Sequence, residues 1–322
     1  MKIIDFTHGY ITEANALAIV NYEEEQNHVP ALPYINSIPD LSEFADNGLG
    51  VAAFDNDKMV GFLCCYKPFD NAFGISGVRG VFSPMGGNAA VPENRAKIYA
   101  AMYQAAGEKW ARAGAVSHAV CLYAHDKKAQ EQFFRYGFGL RCVDAIRGME
   151  EIAAPVCEGY IFEEIVAEEH ISVYSFVEIF NRPFLASPTF MVRPFLTETA
   201  FLDGVRSDRF FTAKKDGVIV AFVSISNAGE TFICNTPKYI HADGAFCLPE
   251  HRGKGVMQGL LSYTVNTLKT DGYTEAGTDF ESINPAACGF WLKYFTAYTH
   301  SVVRRIDDNI LKVTKLFLED EK

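Results

Sequence analysis

The segment Pro249-Glu250-His251-Arg252-Gly253-Lys254-Gly255-Val256-Met257-Gln258-Gly259-Leu260-Leu261 sets two glycines and two cations where an apolar strand gives way to an apolar helix. Residues without a Cβ let the chain turn sharply, so that consecutive amide N–H groups face one point and the positive end of the helix dipole adds to them. Arg252 and Lys254 bring charge. The chemistry this serves is the holding of phosphate, and by neither of the better-known devices: the spacing is not Gly-x-x-x-x-Gly-Lys-Ser/Thr, nor Gly-x-Gly-x-x-Gly opening a βαβ unit. Carboxylates stand on both sides of the loop in sequence. Asp243 lies two residues before Ala245 and shares its strand face, while Asp279 and Glu281 share a face at the end of the next strand. Carboxylates so placed can serve as general bases.

Arg252-Gly253-Lys254-Gly255-Val256-Met257 resembles the acyl-CoA-binding loop of the GCN5-related N-acetyltransferases (GNAT), Arg/Gln-x-x-Gly-x-Gly/Ala, and departs from it only at Met257, where the family has a small residue. Asn284-Pro285-Ala286-Ala287 looks like the family's Asn-x-x-Ala segment. The resemblance implies acetyl-CoA as co-substrate, no metal, and direct attack of an amine on the thioester. It implies that Arg252, Gly253, Lys254, Gly255, Val256, Met257 and Gln258 hold the phosphates and that Asn284 touches the pantetheine arm. It further implies that the backbone of Ala245, Phe246 and Cys247 pairs with pantetheine like an added strand and offers an N–H to the thioester oxygen. The Cys247 side chain is read as packing. The family's tyrosine acid falls seven residues after the asparagine, where this chain has Trp291, which cannot serve. Tyr294, three residues on along the expected helix face, is the natural substitute, with Tyr298 or water as rivals. For the base, Asp243, Asp279 and Glu281 stay open, and relatives often place a glutamate at the position of Asp279.

The elements that must position these residues come twice. Pro92-Glu93-Asn94-Arg95-Ala96-Lys97-Ile98 runs parallel to Pro249-Glu250-His251-Arg252-Gly253-Lys254-Gly255, and Asp126-Lys127-Lys128-Ala129 echoes Asn284-Pro285-Ala286-Ala287. Asp57-Lys58-Met59-Val60-Gly61-Phe62 matches Gly217-Val218-Ile219-Val220-Ala221-Phe222. Three matches in one order at a nearly constant offset predict a duplicated domain. Together with the resemblance this implies an α/β fold with a mixed sheet, two tandem GNAT-like acyl-CoA N-acyltransferase domains over 1–157 and 158–322. In the first half, helices are expected near Thr12–Asn27, Pro92–Ala113 and Lys127–Tyr136, with a closing strand pair running to about Ile152. The second half repeats the order from Gly159 to Phe317. Ala96 and Ile98 replace the loop glycines, so the first half is expected to lack the CoA site. A shifted loop at Gly86-Gly87 is the rival, and a simple turn there the plainer expectation.

A chain of 322 residues accommodates two such cores. Its eight cysteines form no Cys-x-x-Cys pair, its histidines show no ligand spacing, and its N-terminus has no signal-peptide pattern, so a cytoplasmic protein without a metal is expected. No apolar run reaches membrane-spanning length. The net charge of −11 disfavours nucleic acid and favours a cationic acceptor. The expected partner is a small-molecule or peptide amine, with Pro30–Tyr34 and Phe184–Phe190 as candidate linings of an acceptor cleft. The alternative to an N-acetyltransferase is a non-catalytic acyl-CoA-binding regulator or a scaffold.

Overall fold

The computed structural model describes residues 1–193 and 196–313; the expected continuation of the second half through Phe317 to Lys322 runs outside the described residues. In chain order the elements are β1 (Lys2–Asp5), α1 (Ile11–His28), α2 (Ser42–Asn47), β2 (Val51–Asp55), β3 (Lys58–Leu63), β4 (Gly80–Ser83), β5 (Asn88–Ala90) and α3 (Arg95–Arg112). They continue with β6 (Ser117–Tyr123), α4 (Lys127–Arg135), β7 (Gly139–Gly148), β8 (Tyr160–Ile165), α5 (Ile171–Leu185), α6 (Glu198–Gly204), β9 (Arg209–Lys215) and β10 (Val218–Ser226). The last are β11 (Tyr239–Cys247), α7 (Val256–Thr270), β12 (Glu275–Glu281), α8 (Pro285–Trp291), β13 (Thr296–Ala297) and β14 (Thr299–Arg305). The α/β class and the order of elements are those expected.

The compact units are not the two halves of the chain. One comprises Met1–Val143 together with the segment from Ala297 onward, and the other comprises Asp144–Thr296. The division therefore falls inside β7 rather than at Pro155–Gly159. In the first unit β14 lies between β6 and β7, antiparallel to both, with Val302 facing Val120 and Leu140. The strand pair expected to close the first half is thus completed by the other end of the chain. Val302 is fully buried and belongs to the cluster formed by Leu63, Met102, Trp110 and Phe133, so apolar burial holds the strand there. The remaining strands of this unit form a meander in the order β1-β2-β3-β5, and β4 runs parallel to β6. Gly86-Gly87 is the buried turn joining β4 to β5, with the Gly87 amide donating to the Pro84 carbonyl at 2.8 Å. It is no phosphate loop.

In the second unit the strands run β12-β11-β10-β9-β8. Its core is aromatic, with Phe176, Phe201, Phe210, Phe222 and Phe246 packed around Ile165 and Val173. Helix α7 buries Val256, Gly259, Leu260, Thr264, Val265 and Leu268, the stripe of an amphipathic helix against a sheet. Gly259 is small for a reason: a Cβ there would come within 2.7 Å of the Phe162 ring.

Candidate active site of the second unit

Strands β11 and β12 are parallel and pair from Tyr239↔Glu275 to Ala242↔Thr278; among the described residues the pairing stops there although both strands continue. The wedge that opens lies between Asp243–Cys247 and Asp279–Glu281. On its other edge β11 pairs with β10, and the register slips between Ser224↔Gly244 and Ile225↔Ala242, which leaves Asp243 as the extra residue of a β-bulge. The bulge bends β11 away from β12 and re-aims Asp243. Beyond it, among the described residues, one edge of Gly244–Cys247 has no neighbouring strand, which leaves room for an extended ligand to pair with it.

The loop after β11 turns on its two glycines. Gly253 and Gly255 both adopt left-handed backbone, at φ +71° and +79°. Among the described residues the amides of Gly253, Lys254 and Gly255 have no hydrogen-bond partner, and the first turn of α7 adds its own orphan N–H groups. Nothing lies within 4 Å of where a Cβ on Gly253 would be, so that side of the loop is open. Gly255 is needed twice, since a Cβ there would also collide with Pro155. Arg252 donates from Nε to the Cys247 carbonyl at 2.8 Å and stacks its guanidinium 5.6 Å from the Phe246 ring, fixing the loop to the end of β11. Gln258 donates to the Ala153 carbonyl at 2.6 Å, and Tyr160 bonds His251 at 2.8 Å. Val256 is core, Met257 is half-buried, and Lys254 is exposed. The groups present fit a pyrophosphate.

Asn284 caps α8, its side-chain oxygen accepting from the amides of Ala286 and Ala287 at 3.2 and 3.3 Å. Ala245 is half-buried, Phe246 packs on Phe176 and Phe180, and the Cys247 thiol is pushed up to about 11 by burial, which suits packing and not nucleophilic attack. The two tyrosines differ. Helix α8 ends at Trp291, which is buried against Phe290 and Phe295, so Tyr294 sits in the turn beyond it and not on a shared helix face. Tyr294 is half-buried with its ring 5.3 Å from Phe290, and burial raises its hydroxyl. Tyr298 is fully buried, follows Ala297 and is counted with the first unit.

Asp243 and Asp279 are brought together by a residue that the sequence reading passed over. His241, 1% exposed, donates from Nε2 to Asp279 Oδ1 at 2.8 Å and stands 4.0 Å from Asp243 Oδ1. Its Nδ1 bonds the Tyr239 hydroxyl at 2.9 Å. Burial by itself pushes the imidazole down, but hydrogen bonds to Asp279 and Cys234 override it and hold His241 up at about 10, a cation at neutral pH. Asp243 is pushed up, first by burial and then by Asp279, against the lowering effects of Ser226 and His241. Asp208, just before β9, is raised to about 6 by burial and by Asp243. The signal for His241 was present in the alternation of β11, two positions before Asp243. Asp208 gave none, because only folding brings it to the strand.

In the first unit the counterpart loop is shorter. Asn94, at φ +57°, is the left-handed residue before α3, as Gly255 is before α7, and Arg95 already opens the helix whereas Arg252 precedes α7 by four positions. The sequence match of Arg95 with Arg252 is therefore not a structural one. Arg95 is buried and ion-paired to Glu24 at 2.7 Å and Asp126 at 3.3 Å, and Ile98 lies in the core against Gly61.

Residues 173–295, inside the second unit, match the model of the Acetyltransferase (GNAT) family. The chain carries a GNAT domain. By sequence, no protein with a curated functional description matches it. Among solved structures, a GCN5-related N-acetyltransferase from Sphaerobacter thermophilus superposes with a TM-score of 0.58 at 13% identity over 94% of this chain and 95% of that one. A fungal multi-domain GH3 beta-N-acetylglucosaminidase, described as holding a GCN5-related glucosamine N-acetyltransferase region, superposes with a TM-score of 0.52 at 13% identity, over 94% of this chain and 38% of that one. At these identities the likeness is one of fold, and the first extends it to both units. The GNAT match makes acyl transfer the general chemistry of the domain. Among the described residues no helix is long and apolar enough to cross a membrane.

Proposed function

We propose that the GNAT domain of the second unit transfers an acetyl group from acetyl-CoA to the amine of a small-molecule or peptide acceptor by direct attack, and that the first unit has no CoA site. The observation that carries this is the conjunction, in one unit, of an open wedge between β11 and β12 with a left-handed glycine loop at its end. Arg252, Gly253, Lys254, Gly255, Val256, Met257 and Gln258 are then the phosphate loop, with Asn284 and the backbone of Ala245, Phe246 and Cys247 along the arm. Acetyl-CoA supplies the activated thioester.

The chain's own residues divide the proton work. Asp279 is engaged by His241 at 2.8 Å and is taken up in holding the imidazole. Asp243 is pushed up by burial, is the extra residue of the bulge in β11 and is 39% exposed in its side chain, so it takes the proton of the incoming ammonium. Tyr294 is the donor to the departing thiolate. Asp208 adds a third carboxylate on the acceptor side, which favours a cationic amine. The test is an amine-library screen, glucosamine and polyamines included, that follows CoA release. Release with some amine, abolished in Gly255→Val, supports the assignment. CoA binding without release for any amine returns the domain to a regulatory binder.

A further inference from the structure

Along one face of the paired part of β11 and β12 runs a line of polar groups that ends in the wedge. Tyr239 and His241 share that face of β11, and Glu275, Gly277 and Asp279 share it on β12, since side chains alternate with period two. Tyr239 pairs with Glu275 but its hydroxyl lies over Gly277, and His241 pairs with Gly277 but reaches Asp279. A Cβ on Gly277 would overlap the Tyr239 hydroxyl. A glycine inside a strand weakens it, and here the hydroxyl fills the space that the missing side chain leaves. That hydroxyl bonds His241 Nδ1 at 2.9 Å, and Nε2 donates to Asp279 Oδ1 at 2.8 Å. A Cβ on Gly229, in the loop before β11, would come within 2.9 Å of Nδ1, so the ring is walled on that side as well. Buried, and bonded through both nitrogens, the imidazole has one orientation.

Asp279 is held by one oxygen only. Among the described residues its Oδ2 has no hydrogen-bond partner, in a side chain 30% exposed where the pairing of the two strands has stopped. Asp243 Oδ1 stands 4.0 Å from the same Nε2, too far to share its proton. Two carboxylates thus face one imidazolium, and among the described residues no other cation pairs with either. With both ionised, one negative charge is left uncompensated at the wedge. We propose that Tyr239 and His241 are positioning residues for the acceptor: they hold Asp279 so that its free oxygen receives the ammonium of the incoming amine beside Asp243. The ammonium gives one N–H to Asp279 Oδ2 and another to Asp243. When the second proton crosses to Asp243, the nitrogen lone pair is freed for attack on the thioester, and the first N–H keeps the amine in place. The proposal rests on the acyl-transfer reading and gives Asp279 a binding task there, apart from proton transfer.

The experiment is titration of the full chain, its histidines labelled with nitrogen-15, with n-butylammonium chloride at pH 7 and constant ionic strength. The His241 imidazole resonances should shift saturably with butylammonium, and not with tetramethylammonium, which has charge but no N–H, nor with n-butanol. Tyr239→Phe, which removes only the hydroxyl behind the imidazole, should weaken butylammonium binding by about two- to tenfold, the worth of one hydrogen bond. With an amine that supports CoA release, the same variant should raise its KM by that factor and leave kcat and CoA affinity unchanged. No saturable shift, an equal shift with tetramethylammonium, or a folded Tyr239→Phe with wild-type ammonium binding and KM overturns the proposal. The wild-type titration decides even if the variant fails to fold. Selective ammonium binding without CoA release from any amine upholds the ammonium site and sinks the transferase reading; CoA release without selective ammonium binding does the reverse.

Discussion

At the scale of single residues, the two aspartates of the wedge differ in what they touch, and their variants should differ accordingly. Asp243→Asn should lower kcat by about 10²-fold or more and remove the acidic limb of the pH–rate profile, a limb expected above the ordinary carboxylate range because Asp243 is pushed up. Steady-state rates across pH check this, and an unchanged limb would exclude Asp243 as the base. Asp279→Asn acts on His241 instead. Without its acceptor the imidazole loses what keeps it protonated while its burial remains, so its titration should move from about 10 toward or below 6.5, visible in imidazole NMR. Tyr294→Phe should lower kcat by about 10²-fold with CoA affinity little changed; the same variant with full kcat leaves water as the proton donor.

At the scale of elements, the turn into a helix separates the two units. Gly255→Val forces a β-branched residue into left-handed backbone and into Pro155, so CoA binding should be lost or fall sharply in calorimetric titration. Ile98→Val, at the position the repeat pairs with Gly255, should cost only about 0.5–1.5 kcal/mol of stability and leave CoA binding unchanged, because Ile98 is packing inside α3. Titration of the intact chain should give one site. The loop itself was legible from sequence, since glycines between a strand and a helix constrain backbone directly. The equivalence of the two loops was not, because four shared letters hid a shortening that only the helix starts reveal.

At the scale of the whole molecule, the chain cannot be cut where the repeat suggests. A fragment ending at residue 157 lacks β14, so β6 and β7 lose the strand between them and Val302 leaves the core. It should be insoluble or unfolded by circular dichroism, and co-production with the remainder of the chain should restore it. The first unit should also be acid-sensitive. His118, 1% exposed, is pushed down to about 4 by burial, as is His300. The unfolded chain takes up those protons first, so the stability they lend is full above about pH 6.5 and drains as pH falls toward 4. For His118 alone this is of order 3 kcal/mol. Melting temperatures across that range test the slope, and His118→Gln should flatten it.

What the sequence determined was local: the left-handed glycines of the loop, the amphipathic stripe of α7, the capping asparagine of α8, and the order of elements, each set by backbone preference or by a short period of apolar residues. Tertiary structure decided what depends on partners far apart in the chain. A strand carries no mark of which neighbours it will sit between, so β14 reads equally well as the end of the second half and as the middle of the first. A histidine carries no mark of its charge, so His241 became an imidazolium only when Asp279 and Cys234 were folded around it.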